Sequence, residues 1–301
     1  MRSIIFLLLA STLFYACGNE GGSMQRTDIG NRYQLFTANG GGDLVQPGDY
    51  VHFNAAMRTE GDSILFSTWK SGGELPVVQA AELTATKDEI GPVEDIVRQM
   101  RVGDSAVVRV NISEFPSKPP GMENDSVVLY DVVVSKIVSE ADYNAELTAK
   151  QAEAAAKAEV IKALEPERVE FAEEIRKAYA DGKLSDQIKT TESGLKYMIH
   201  EQGDGKQAEA GLGVTVQYIG QLVSDGTIFD QSFNRGEGIG FQLGIGRVIP
   251  GWDEGIELLK VGDKATFFIP SELAYGADGT PDGSIPGGSE LAFYVELEDV
   301  Q

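Results

Sequence analysis

One pattern occurs twice in this chain, and it limits the possible folds more than any other feature. Val93, Val97 and Met100 sit at i, i+4 and i+7, one face of a short helix, and Val102-Gly103-Asp104 leads from them into the strand-like run Ser105 to Val110. Trp252, Ile256 and Leu259 repeat that spacing, followed by Val261-Gly262-Asp263 and by Lys264 to Ile269. Val93 to Trp252 and Asp104 to Asp263 are both 159 positions apart. A helix packed on a twisted sheet, left by the same turn, is therefore expected twice, as a tandem duplication of one fold. At 301 residues and 42% hydrophobic, the chain is long and apolar enough for two cores.

The segments around these helices read as strands. Tyr50 to Phe53, Ala106 to Val110 and Val127 to Val134 are β-branched or aromatic runs parted by turn residues. Between the copies, Ala141 to Leu164 switches to Ala, Glu, Lys and Gln, strong helix formers over about 35 Å. Pro166 is expected to open a second helical segment that runs to about Ala180 and stops at Gly182. The apolar stripe of the first segment is thin, with Tyr143, Leu147 and Ile161 among alanines and no Leu heptad. A semi-rigid spacer is the expected role, with dimerisation through the helical linker as the alternative. The expected class is α+β: two domains, each an antiparallel twisted sheet wrapped on a short helix, joined by a long helical linker.

The N-terminus reads as an export signal. Arg2 precedes the apolar run Ile4 to Phe14, which is shorter than a membrane span. Leu13-Phe14-Tyr15-Ala16-Cys17-Gly18 places a small residue before the chain's one cysteine. This resembles the lipobox of bacterial lipoproteins and implies a lipid on Cys17, hence an exported, periplasmic-side protein anchored to the inner or outer membrane. An ordinary signal peptide with an incidental Cys17 is the alternative. One cysteine permits no internal disulfide. The expected divisions are a signal over 1–17, a flexible tether over 18–46, the first domain over 47–139, the linker over 140–185 and the second domain over 190–301. With 47 acidic against 25 basic residues the net charge is -22, which repels phosphate backbones and excludes nucleic acid as a partner.

The second copy carries the chemistry. Val214, Val216 and Tyr218 alternate to one face, as do Leu291, Phe293, Val295 and Leu297, and Gly-rich loops lie between them. Tyr218, Phe229, Phe241, Trp252, Tyr275 and Phe293 are more rings than a small core needs, so some are candidates to line a cleft. His52 and His200 are the two histidines, which leaves no Ser/His/Asp or Cys/His set. His200 is expected at the surface. No metal or cofactor motif is present. Any reaction here must rely on shape and polarity.

Val216 to Gly220, Asp225 to Ser232, Val248 to Gly255, Ile269 to Gly276, Ile285-Pro286 and Leu291 to Leu297 follow, in order, the pattern of FKBP-type peptidyl-prolyl cis-trans isomerases. The lead-in Thr190 to Tyr197, after a long helix, resembles the infectivity-potentiator type of bacterial members. The resemblance covers about a third of the chain. It implies a pocket in which a prolyl ring lies on Trp252, walled by Tyr218, Phe229, Val248, Ile249 and Phe293 and covered by Ile285. Tyr275 offers its hydroxyl and Ile249 its backbone N–H to the substrate. Asp230 sits at the rim, bonded toward Tyr218 and Arg235. Ile239, Arg247 and Thr280 depart from the commonest residues at rim positions that tune substrate preference and affinity for macrolide-type inhibitors.

Such a site needs no nucleophile. Rotation about a peptide bond is opposed by about 18–20 kcal/mol of lost amide resonance. A dry apolar pocket disfavours the planar, charge-separated ground state relative to the less polar twisted one, and hydrogen bonds to the flanking backbone favour the twist. The implied function is isomerisation of proline-containing unfolded or nascent exported polypeptides, with a non-enzymatic chaperone or scaffold lipoprotein as the alternative. Aligned the same way, the first copy looks degenerate. Phe53 is expected at the place of Tyr218, Phe66-Ser67 at that of Phe229-Asp230, Val93 at that of Trp252 and Tyr130 at that of Phe293, with no counterpart of Tyr275 in Phe115 to Pro120.

Overall fold

The computed structural model describes residues 22–38, 42–71, 74–82, 85–86, 89–113, 117–118 and 120–301. The expected signal and Cys17 lie outside these residues, as do residues 18–21 of the tether and Phe115, Pro116 and Pro119 of the first copy's loop. The chain divides into two compact units, Met1–Ala149 and Lys150–Gln301.

The first unit is built from β1 (Gln25–Arg26), β2 (Arg32–Phe36), β3 (Tyr50–Thr59), β4 (Ile64–Ser67), α1 (Thr68–Ser71), β5 (Val77–Gln79), α2 (Pro92–Val97), β6 (Ser105–Asn111) and β7 (Val127–Val138). The helix α3 (Glu140–Ala180) follows. The second unit then has β8 (Lys189–Thr190), β9 (Lys196–Glu201), β10 (Gly213–Leu222), β11 (Ile228–Gln231), β12 (Ile239–Gln242), α4 (Pro250–Glu257), β13 (Lys264–Ile269) and β14 (Leu291–Val300).

The duplication expected from the 159-residue offset extends to the whole topology. Both units carry a seven-stranded antiparallel sheet. The first runs β1-β2-β6-β7-β3-β4 with β5 also on β3, and the second runs β8-β9-β13-β14-β10-β11 with β12 also on β10. Strand for strand, β1–β7 match β8–β14. The matching turns agree atom by atom. Asp104 accepts the Arg101 and Ala38 N–H groups at 2.8 and 2.9 Å, and Asp263 accepts those of Lys260 and Gly203 at 2.9 and 2.6 Å. Both aspartates tie the turn after the short helix to the segment that follows β2 or β9.

Each sheet buries its inner face under its own short helix. Ile96, Val97 and Met100 pack on Val108, Val132 and Val134 in one unit, and Trp252, Ile256 and Leu259 on Phe267, Phe293 and Val295 in the other. The outer faces differ. β6 alternates buried and half-buried residues, as a one-sided strand does, whereas all of β13 after Lys264 is buried. The cause is α3. Ile161, Leu164, Val169, Phe171 and Ala172 pack on Ile219, Phe233 and Tyr294 of the second sheet's outer face, and Tyr179 stacks on Phe268 at 3.7 Å. Arg168 pairs with Glu296 at 2.6 Å along the same seam.

Three expectations are thereby corrected. The stretch 18–46 is not all tether: β1 and β2 belong to the first sheet, and Tyr33 is 4% exposed in its core. The linker 140–185 is not only a spacer, because its second half is part of the second unit's packing. Pro166 opens no new segment and lies inside one 41-residue helix. Proline in a helix costs about 3 kcal/mol. Here Ile161 and Leu164 before it, and Val169 and Ala172 after it, join one apolar cluster, and that packing carries the helix through.

His200 on β9 is likewise not at the surface. Its ring lies edge-on to Phe171 of α3 at 4.9 Å, and its Nε2 is 2.8 Å from the Thr266 hydroxyl. Burial lowers its pKa from 6.5 to about 4. Between those values the unfolded chain binds a proton that the folded chain refuses. Stability is therefore full above pH 6.5 and falls as the pH drops toward 4, by on the order of 3 kcal/mol. Urea unfolding followed by Trp252 fluorescence in a Trp69→Phe background should show that fall, and His200→Gln should flatten it. A wild-type midpoint that does not move between pH 7 and 4 contradicts the assignment.

Candidate active site

The site forms where one strand lacks side chains. Gly220 on β10 pairs with Phe293 on β14 and Asp230 on β11. A Cβ at Gly220 would stand 2.6 Å from the Phe229 ring and 2.7 Å from that of Phe293. The missing side chain lets two rings lie over the strand at close-packed distance. They meet edge to face, with centroids 5.4 Å apart and planes at 78°. Trp252, at the start of α4, is edge-on to Phe293 at 5.3 Å and to Tyr218 at 5.1 Å, both at 86°. These are the arrangements that the ring quadrupoles favour.

Trp252, Phe293 and Ile285 are each 4% exposed and Tyr218 is 5% exposed, while Phe229, Val248 and Ile249 are half-buried around them. Trp252 is thus a floor, and the half-buried residues are walls. Its Nε1 has no hydrogen-bond partner among the described residues, a lone donor amid apolar surfaces. Tyr275 is 40% exposed and Ile239 37%, both at the edge. Burial, then the charge of Asp230, raises the Tyr275 pKa, so this phenol stays protonated.

The rim is a three-membered polar network. The Tyr218 hydroxyl donates to Asp230 Oδ2, Arg235 Nη1 donates to Oδ1 at 2.8 Å, and Arg235 Nη2 donates to the Tyr218 oxygen at 2.9 Å. Burial pushes the Asp230 carboxyl up, but the bonds from Tyr218 and Arg235 and the guanidinium charge outweigh it, and its pKa is lowered. Burial first, and the Asp230 bond second, push Tyr218 up to about 12. At neutral pH the carboxylate is charged and the phenol neutral. The network orients groups and moves no proton.

Two contributors lie outside the residues expected from the sequence. Asp253, in the first turn of α4, accepts the Gly244 and Gly246 N–H groups at 2.9 and 3.0 Å and fixes the turn that leads to Val248 and Ile249. The signal was a helix-start carboxylate after Gly244-Ile245-Gly246. Ser232 accepts the Tyr218 N–H at 2.8 Å and donates to Gln217. Thr280, noted as a departure, accepts the Ile285 N–H at 3.0 Å and fastens the covering loop.

The first unit lacks this cleft, and its register shows how. Its β3 has bulges at His52/Phe53 and Met57/Arg58, and β10 has them at Thr215/Val216 and Gly220/Gln221. With the bulges superposed, Ala55 takes the place of Tyr218, not Phe53. The hydrogen bonds agree: Thr68 accepts the Ala55 N–H at 3.0 Å and donates to Asn54, as Ser232 does with Tyr218 and Gln217. Leu65 falls at Phe229 and Phe66 at Asp230, one position from the expected Phe66-Ser67. Tyr130 does match Phe293, since it pairs with Val108 as Phe293 pairs with Phe267. Met57 stands where Gly220 leaves room, and it packs into the core with Leu65 and Val93. The space is filled and the carboxylate absent.

Comparison with known proteins points to the same unit. Residues 204–298 match the family described as FKBP-type peptidyl-prolyl cis-trans isomerase. The FKBP-type peptidyl-prolyl cis-trans isomerase FkpA of Aeromonas hydrophila is 50% identical over 110 residues, 36% of this chain and 39% of that protein. Peptidyl-prolyl cis-trans isomerase FPR2 of Saccharomyces cerevisiae is 50% identical over 95 residues, 32% of this chain and 70% of that protein. The FK506-binding protein of Streptomyces anulatus is 47% identical over 96 residues, 32% of this chain and 77% of that protein. The chain spans about two fifths of its FkpA relatives from Aeromonas hydrophila and Neisseria meningitidis, at 39% and 42%. Through its second unit, this chain belongs to the family of FKBP-type peptidyl-prolyl cis-trans isomerases.

Proposed function

We propose that the second unit catalyses cis-trans isomerisation of X-Pro bonds in unfolded or nascent exported polypeptides, a slow step in their folding. The observation that carries this reading is the apolar cleft floored by Trp252 and rimmed by a carboxylate that is charged yet fully engaged. The prolyl ring lies on the indole between Phe229, Val248 and Phe293. The Ile249 N–H, ahead of the first turn of α4, binds the substrate carbonyl that follows the ring. The Tyr275 hydroxyl, which takes no partner among the described residues, binds a second substrate carbonyl. Removing water from the amide lowers the polar ground state's advantage, and the two hydrogen bonds hold the backbone in the turn that the twist requires. Macrolide-type inhibitors would compete for the same cleft, as the name of the Streptomyces relative suggests for that protein.

The first unit, FKBP-like in topology with its cleft filled, is proposed to be inactive. Ile64, Phe66 and Trp69 are 52, 54 and 46% exposed on it. That apolar surface favours a second, non-enzymatic role in holding unfolded chains. The infectivity-potentiator type, with its long helix before the catalytic domain, is the proposed subtype, and α3 is the proposed route to any dimer. Export and lipid anchoring through Cys17 complete the proposal.

In a protease-coupled assay on a short prolyl peptide, the full chain should accelerate isomerisation, and Asp230→Asn should lower kcat/KM by roughly tenfold through loss of the ion pair and reorientation of Tyr218. Phe66→Asp should leave turnover intact while weakening suppression of aggregation. A full chain that suppresses aggregation without any rate enhancement would leave the chaperone reading in place of the enzyme. Palmitate should label cells that express the wild type and not those with Cys17→Ser. Equal labelling of both rules out the anchor.

A further inference from the structure

The turn Gln231–Gly236 carries Arg235 to the rim and is held from three sides. On the inside, Ser232 binds the Tyr218 N–H at 2.8 Å. At its tip, Arg235 reaches Asp230 and Tyr218. On the outside it is held by α3. Phe233 is 1% exposed, buried with Ile161 and Ala172 of that helix. Gln231, next to Asp230 on β11, donates its side-chain amide to Glu165 of α3 at 2.7 Å. Gly236, at φ +78°, is pressed so close to the helix that a Cβ would stand 2.6 Å from the Ala158 carbonyl oxygen.

The same helix grips the far side of the cleft's supports. Arg176 donates to the Val223 carbonyl at 2.9 Å, and Tyr179 donates to Glu290 at 2.6 Å. Val223 in turn donates its N–H to the Glu290 carbonyl, at the base of the loop that bears Tyr275 and Ile285. The first unit supplies an internal contrast. Trp69 occupies the place of Phe233 but remains 46% exposed, and that copy has Phe66 where Asp230 would be. The copy that keeps the carboxylate keeps a helix over the turn behind it.

We propose that α3 from Ala158 onward positions the rim of the cleft, Glu165 and the Ala158–Gly236 contact holding the Gln231–Gly236 turn so that Arg235 and Asp230 meet at Tyr218. Glu165 touches no substrate and acts through Arg235 and Asp230. The consequence for catalysis rests on the isomerase reading above.

The test uses the full chain. Glu165→Ala should lower kcat/KM on a prolyl peptide by about tenfold, the scale of a group displaced by less than 1 Å. Glu165→Gln, whose amide oxygen can accept from Gln231, should restore it. Combined with Asp230→Asn, Glu165→Ala should cause no further loss, because both changes act through one network. Gly236→Ala should behave as Glu165→Ala does. Side-chain NMR of Arg235 gives a readout independent of turnover, since rotation of the guanidinium is slowed by its paired bonds and should quicken in both variants. Unchanged Arg235 signals in both variants, or losses that multiply with that of Asp230→Asn, overturn the proposal. Quickened Arg235 rotation without turnover in any form sinks the isomerase reading and leaves the positioning role standing.

Discussion

The cleft depends on one missing side chain. Gly220 lets Phe229 and Phe293 settle over β10, and Trp252 then closes the floor by meeting Phe293 and Tyr218 edge to face. Close-packed interiors leave little slack, so a methyl at that point pushes two rings and, through them, the floor. The first unit makes the opposite choice with the same backbone. Met57 occupies the position, Ala55 and Leu65 replace the tyrosine and phenylalanine, and the space becomes ordinary core. A single topology thus carries two different interiors, and the difference lies in a handful of positions.

Much of this was legible in the sequence. The repeated i, i+4, i+7 helix and its Val-Gly-Asp turn recur at a fixed distance because the turn's aspartate has two N–H groups to satisfy in each copy. The cleft residues of the second copy come in short runs whose order the family resemblance preserves, and the structure places Tyr218, Phe229, Asp230, Trp252, Ile285 and Phe293 together. The first copy was harder. The two bulges that fix the register are shared by β3 and β10 and leave no mark in hydropathy, so the sequence alone favours an aromatic, Phe53, opposite Tyr218 where the register puts Ala55. β1 and β2 hid in a stretch that reads as polar tether. β1 is a two-residue edge strand and β2 lies beside it, and within these two strands only Tyr33 is deeply buried.

The role of α3 is hidden for a different reason. Its sequence shows a thin stripe and a proline, both signs of a free or broken helix, and neither reveals the sheet that receives it. Long-range packing decided the outcome, as the loss of alternation along β13 records. His200 follows from the same packing, since Phe171 of α3 lies against its ring. With α3 in place the second sheet is covered on both faces, and the turn behind Asp230 is anchored to a helix packed on that sheet. A rim network of one carboxylate, one phenol and one guanidinium needs such backing, because its geometry is worth more than its charge.

The proposed prolyl cleft lies on one of two matching sheets, and Met57 occupies the corresponding place on the other. Titrating the isotope-labelled full chain with a short proline-containing peptide and following its amide resonances tests this directly. Shifts and exchange broadening are expected at Ile249, Trp252, Tyr275 and Ile285, with Val93, Met57 and Tyr130 unmoved. Equal perturbation around Met57 and Tyr130, or none at Trp252, would contradict it.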